Sequence, residues 1–221
     1  MLHLAALLFL ASLPPAAAQD LPAPNLASSG SGSPSGVARL VLAYQLYAIG
    51  TAYKDPLTVL NAARLAGSVT LTDTARAHET SGTPSPIAAP NPTTAAEMLA
   101  SATTLAAENE ALLDLIEAAR RDGPFSPQAN IVSTKSHIAG AGTDSWALPF
   151  FGASPAELAI LGDGASNLDL RIADENGTPV CQDVGPSDTA YCSFYPARNG
   201  MFQITVINTG NGANSYLLLT N

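Results

Sequence analysis

The sequence predicts an α+β protein in two parts: a helical hairpin or bundle of about three helices, then an antiparallel β-sandwich of jelly-roll kind. Three observations carry this. Apolar residues recur with the helical period of about 3.6 through much of residues 37–123. Beyond Asn130 the period shortens toward two, and Gly, Asn and Asp arrive at short intervals, as they do between short antiparallel strands. The chain of 221 residues, 47% hydrophobic and 12% charged, is long enough to bury one or two cores.

At the N-terminus, Leu2 to Leu13 form an apolar run interrupted only by His3 and Ser12, followed by Pro14-Pro15 and Ala16-Ala17-Ala18. Residues 1–18 therefore read as a signal peptide cleaved after Ala18. A run of this length is too short to span a hydrocarbon core that needs about 20 residues. Export to the periplasm or beyond the cell is the expectation, with no membrane span once the leader is removed. Residues 19–36, rich in Pro, Gly, Ser and Ala, read as a flexible tether, because they have little apolar area to offset the entropy of ordering.

The helical part is expected over 37–123. Ser35 can cap a first helix in which Val37, Leu40, Val41, Tyr44, Tyr47 and Ala48 form one face as far as Tyr53. Asp55-Pro56 starts a second, since proline at the first helical position loses no hydrogen bond, and Gly67 ends it. The pattern fails over 68–92, where Ser-Gly-Thr-Pro-Ser-Pro, Pro90 and Pro92 predict a surface loop. Thr94 and Glu97 form a capping box for a third helix, whose stripe of Met98, Ala102, Leu105, Leu112 and Ile116 runs to Arg120-Arg121 and Gly123-Pro124.

Residues 130–221 are expected to form the sandwich. Leu168, Leu170 and Ile172 alternate with Asp169 and Arg171, and Phe202, Ile204 and Val206 alternate with Gln203 and Thr205. Asp174-Glu175-Asn176-Gly177 and Asn199-Gly200 are turn sequences at the ends of those runs. Cys181 and Cys192, the two cysteines of the chain, read as one disulfide if the protein is exported.

Eighteen acidic residues against nine basic ones give a net charge of -9, a field that repels phosphate backbones and excludes nucleic acid as a natural partner. No Gly-x-Ser-x-Gly elbow is present, and His78-Glu79 lacks the second histidine of a zinc helix. Ser136, His137 and Asp144 hold the residue types of a hydrolytic triad, but nothing in their spacing demands one, and His137 reads instead as a solvent-facing strand histidine. Glu108 and Glu110, two apart on a helix, point to different sides and read as solubilising charges. The aromatic set Trp146, Phe150, Phe151, Tyr191, Phe194, Tyr195, Phe202 and Tyr216 is expected mostly in the sandwich core, and otherwise as a stacking platform. Asp163, Asp169, Asp174, Glu175, Asp183 and Asp188 suit turns and an acidic surface, with calcium as the alternative.

Gly162-Asp163-Gly164-Ala165-Ser166-Asn167-Leu168-Asp169-Leu170-Arg171-Ile172, the turn 174–177, Phe194-Tyr195-Pro196, Gly200-Met201-Phe202 and Asn214-Ser215-Tyr216-Leu217-Leu218 together resemble the bacterial pre-peptidase C-terminal domain family. The resemblance covers residues 130–221 and implies an extracellular β-sandwich appended to secreted proteases, a binding or accessory module and not a catalytic one. Some members bind calcium, for which Asp163, Asp169 and Asp174 are the candidates here. Asn167 replaces the first aspartate of the family's Asp-Leu-Asp-Leu strand, which removes one ligand charge. The sequence therefore reads as an exported, non-catalytic binding protein without a cofactor, its partner an unidentified protein or an envelope or extracellular ligand. The alternatives are an accessory protein of a secreted hydrolase and a calcium-stabilised adhesion module.

Overall fold

A computed structural model describes residues 23–28, 35–82, 91–123, 125 and 129–221. The predicted leader, 1–18, and residues 19–22 and 29–34 of the predicted tether lie outside the described residues. Helix α1, Gly36–Ala52, begins where the Ser35 hydroxyl accepts the N–H groups of Val37 and Ala38. Helix α2, Pro56–Gly67, begins at the Asp55 side chain, which accepts from Leu57 and Thr58. The two helices cross at Gly50, where a Cβ would sit 2.6 Å from Val59 Cγ2.

The predicted third helix is two helices, α3 (Ala95–Ala106) and α4 (Glu110–Asp122). The capping box of Thr94 and Glu97 starts α3 as expected. The break falls at Ala107, in a left-handed conformation with φ +50°, after which Asn109 caps α4. Folding back lets Ala102 and Ala106 of α3 and Ile116 and Ala119 of α4 close around Val59 and Leu60 of α2, burying more than one straight rod could. Glu108 falls in the break and Glu110 in the first turn of α4, both exposed, so they do not share a helix as the sequence suggested.

The segment read as a loop, 68–92, contains two strands, β1 (Val69–Asp73) and β2 (His78–Ser81). Their positions are almost all exposed, so they lack the alternation that marks a strand in sequence; backbone pairing recruits them, helped by Val69 in a core and by His78 stacked on Trp146. The other strands are β3 (Ala129–Ile138), β4 (Thr143–Phe150), β5 (Ala156–Gly162), β6 (Leu168–Ala173), β7 (Pro179–Asp183), β8 (Thr189–Phe194), β9 (Gly200–Asn208) and β10 (Asn214–Thr220).

One sheet has the order β1-β3-β10-β5-β8 and the other β2-β4-β9-β6-β7. Without β1 and β2, the eight strands from 129 to 220 have the strand order of a jelly roll. β1 runs parallel to β3, with Val69 opposite Ala129, and β2 runs antiparallel to β4, with His78 opposite Trp146.

Trp146, Phe150, Leu170, Phe202, Ile204 and Leu218 fill the space between the sheets. Phe150 meets Phe194 and Phe202 edge-on, with ring centroids 5.1 and 5.7 Å apart. A second core lies on the outer side of the first sheet, where Val37, Leu40 and Val41 of α1 pack on Ala159, Leu161 and Leu219. β5 is consequently buried at every position, and its Ala-Glu-Leu-Ala-Ile-Leu-Gly sequence does not alternate. The molecule is therefore layered helix, sheet, sheet, and its two predicted parts share strands and a core.

Residues 23–28, inside the predicted tether, lie against one end of the sandwich. Asn25 is fully buried, its backbone N–H donating to Asp174 Oδ2 at 2.9 Å. Burial alone would raise the Asp174 carboxyl, but the N–H groups of Asn25, Thr178 and Asn176 outweigh it and hold the group below its ordinary value. A carboxyl lowered by folding contributes stability above its unfolded pKa, about 4, and that contribution is lost as pH falls through the folded value. Melting curves from about pH 6 down to about pH 2 should therefore decline more steeply for the wild type than for Asp174→Asn. Parallel declines would remove this carboxylate from the acid response.

Candidate functional site

The second sheet turns one face inward and one to solvent, and the two faces carry different chemistry. Inward, four strands converge on Asp144. Its Oδ2 accepts from Ser136 Oγ of β3 at 2.9 Å and from Tyr216 OH of β10 at 2.6 Å. Trp146 Nε1 of β4 donates to the same phenol at 3.1 Å. His78 of β2 stacks on Trp146, centroids 3.9 Å apart, with Nε2 3.2 Å from Ser136 Oγ and 3.7 Å from Asp144 Oδ2.

Burial, together with the adjacent Asp144 carboxylate, pushes the Tyr216 phenol far above its ordinary value. It stays protonated and serves as a donor. Asp144 is fully buried, and among the described residues its Oδ1 has no hydrogen-bond partner.

This arrangement brings together the serine and the aspartate of the triad considered from sequence, but with His78 and not His137. His137 is exposed on β3, its Nδ1 3.2 Å from Ser215 Oγ. Nor is the geometry that of a nucleophile relay. The Ser136 hydroxyl donates directly to the carboxylate, and one nitrogen of His78 faces both groups, so the imidazole does not sit between acid and hydroxyl. The cluster joins the two sheets.

The outward face of the same sheet is a polar row. Strand register places Glu79 beside Ser145, Ser145 beside Thr205, Thr205 beside Arg171 and Arg171 beside Gln182, crossing all five strands. Gln203 follows in the adjoining row, between Ala147 and Ala173. Two surface grooves, of about 570 and 490 Å³, meet over Gln203 and Thr205. Among the described residues, the side chains of Glu79, Arg171, Gln182 and Gln203 have no hydrogen-bond or ion-pair partner. Sequence reasoning recognised the alternation that points Arg171, Gln203 and Thr205 outward but did not single them out as a site; Glu79 and Ser145 join them only through pairing with distant strands.

At the far edge, Cys181 of β7 and Cys192 of β8 form the disulfide expected from sequence, with Cα atoms 6.0 Å apart. It links the edge strand of one sheet to that of the other. Beside it, Asp183 Oδ2 accepts from the Tyr191 N–H at 3.0 Å.

The calcium candidates lie in three different settings. Asp163 accepts from Ala165 and Ser215 N–H groups, Asp174 from Asn25, Asn176 and Thr178, and Asp169 from the Asn167 amide. Among the described residues, no three His, Cys, Asp or Glu side chains come together as a metal site would require. Of the aromatic set, Trp146, Phe150, Phe194, Phe202 and Tyr216 are core, Tyr191 and Tyr195 are half-buried, and Phe151 is 76% exposed. They form no continuous platform.

The fold and the site together define a helix-backed jelly-roll β-sandwich with a polar outer face. No protein-family model matches the chain, and no curated protein matches it. It is similar in part to the pre-peptidase C-terminal domain of a collagenase from Bacillus anthracis, at 16% identity and TM-score 0.36, over 40% of this chain and 87% of that one. It is also similar to the C-terminal CBM6 of LamC, a marine laminarinase from Zobellia galactanivorans, at 14% identity and TM-score 0.27, over 38% of this chain and 75% of that one. Among the described residues, no helix is long and apolar enough to cross a membrane.

Proposed function

We propose that this is an exported, non-catalytic binding protein that holds a polar, extended ligand across the outer face of the second sheet. The observation that carries the reading is the row Glu79, Ser145, Thr205, Arg171 and Gln182, five polar side chains in register on five adjacent strands. A ligand lying across the strands meets a carboxylate toward one edge and a guanidinium and an amide toward the other. Behind the row, the packed core and the Asp144 cluster hold the backbone, so the side chains are presented from a rigid support.

Export is supported by the leader-like residues 1–18 and by the Cys181–Cys192 bridge, a bond that persists in oxidising compartments. The ligand is accordingly a protein or polymer of the periplasm, envelope or exterior. The resemblance of residues 130–221 to pre-peptidase C-terminal domains supports an accessory role beside a secreted hydrolase. A non-catalytic role is supported by Ser136, whose buried hydroxyl is engaged with Asp144 and turned away from solvent.

The test is NMR titration of the isotope-labelled protein with soluble envelope glycan fragments and with extracellular peptides. Resonances of Ser145, Gln203 and Thr205 should move together, and Arg171→Ala should weaken binding by roughly tenfold, the order expected for a charge-assisted contact, with unchanged melting. Shifts confined to the helical layer would overturn the reading. So would hydrolase turnover that His78→Ala abolishes.

A further inference from the structure

Residues 23–28 reach the sandwich from outside its sheet ladders, and most of their hydrogen bonds to it are made by one residue, Asn25. Asn25 engages its backbone N–H and both ends of its side-chain amide there: the N–H on Asp174 Oδ2, the amide nitrogen on Glu175 Oε2 and on Arg198 O at 3.2 Å each, and the amide oxygen on the Arg198 N–H at 2.9 Å. Ala27 N–H donates to Tyr195 O at 2.7 Å, and Leu26 packs against the core cluster that includes Phe150, Phe194 and Phe202. These partners are 149 to 173 residues away in sequence for Asn25.

The notch that receives this side chain is organised by its own residues. Asp174 uses Oδ1 on the N–H groups of Asn176 and Thr178 within its own turn, leaving Oδ2 for the incoming segment. Glu175 is paired with the Arg198 guanidinium. Gly200 leaves the room that the amide occupies, since a Cβ there would lie 2.8 Å from Asn25 Nδ2. A preformed notch, lined by two carboxylates and one peptide group, accepts a carboxamide and rejects a carboxylate, which would be repelled and could donate nothing.

We infer that the end of the sandwich, between the turn at 174–177 and the loop at 195–199, is a recognition site for an extended peptide bearing asparagine followed by an aliphatic residue, and that residues 23–28 are its tethered ligand. Six residues, Ser29-Gly30-Ser31-Gly32-Ser33-Pro34, separate Ser28 from Ser35, the cap of α1. A covalent connection of six residues keeps 23–28 beside the notch at about millimolar effective concentration. Access of any other Asn-Leu peptide is therefore governed by release of the strap. This site is separate from the polar row on the outer face, and the two can succeed or fail independently.

The experiment uses the full chain and a fluorescein-labelled peptide, Ala-Pro-Asn-Leu-Ala-Ser, which copies residues 23–28. Asn25→Asp should release the strap, so the variant takes up the peptide at least roughly tenfold more tightly than the wild type, in which the site is occupied in cis. Adding Gly200→Ala should abolish uptake, and a peptide with Asp for Asn should not bind to either chain. An Asn25→Asp chain that melts cooperatively yet binds no peptide at up to about 1 mM, the weak end of specific recognition, overturns the inference. Where that variant does not fold, hydrogen exchange on the wild type decides. Amides of Asn25 and Ala27 exchanging faster than those of β5 and β10 support a releasable ligand, and exchange at the core rate overturns it.

Discussion

Asp144→Ala is expected to destabilise the protein by about 3–5 kcal/mol, the combined cost of leaving two buried hydroxyls without their shared acceptor. The carboxylate is fully buried and is the shared acceptor of the Ser136 and Tyr216 hydroxyls, with the Trp146 N–H one bond further out. Truncation leaves those donors in the interior with a void in place of their acceptor, and each unsatisfied group costs about 1–3 kcal/mol. Asp144→Asn keeps an acceptor oxygen at the centre, so its loss should be clearly smaller. Urea denaturation of both variants measures the difference. A loss below about 1 kcal/mol for Asp144→Ala would mean that the cluster contributes no more than an average surface contact.

Removing the disulfide should be the second large effect. Cys181→Ser with Cys192→Ser releases a loop of about a dozen residues, for which the loop-entropy model gives about 3 kcal/mol. For a chain of this size that corresponds to a melting temperature lower by about 6–12 °C. The consequence is local as well as global, because β7 and β8 are the edge strands of opposite sheets and the bridge is the covalent tie between them. Amides over 179–194 should exchange faster in the double variant, and a reductant should reproduce the melting shift in the wild type. An unchanged melting temperature under reductant would show that edge packing alone closes this side.

The parts of the fold visible in sequence are those specified within a few residues. Ser35, Asp55-Pro56 and the Thr94–Glu97 box start helices where local hydrogen bonding says they should. The alternation in β6 and β9 gives each side chain its face, and the two cysteines of the chain pair with one another. The break at Ala107 left a weaker trace, Asn109 before Glu110, which is a cap signal hidden inside an otherwise continuous apolar stripe.

The candidate sites depended on contacts that no local pattern records. Ser136 meets His78, 58 residues away, and not its neighbour His137, because adjacent strand residues point to opposite faces. Asn25 sits in a stretch whose composition argues for disorder, yet four hydrogen bonds from distant turns order it.

From sequence alone come the helix starts, the inward and outward faces of the strands, the acidic balance and the disulfide, since each follows from the period of the backbone or the chemistry of nearby residues. Tertiary structure alone decided that β1 and β2 complete the sheets, that the described helices pack on the first sheet, and that Glu79, Ser145, Thr205, Arg171 and Gln182 stand in one line. The reason is physical: an edge strand gains its stability from the backbone it lies against, and a surface row exists only once five strands have chosen their neighbours.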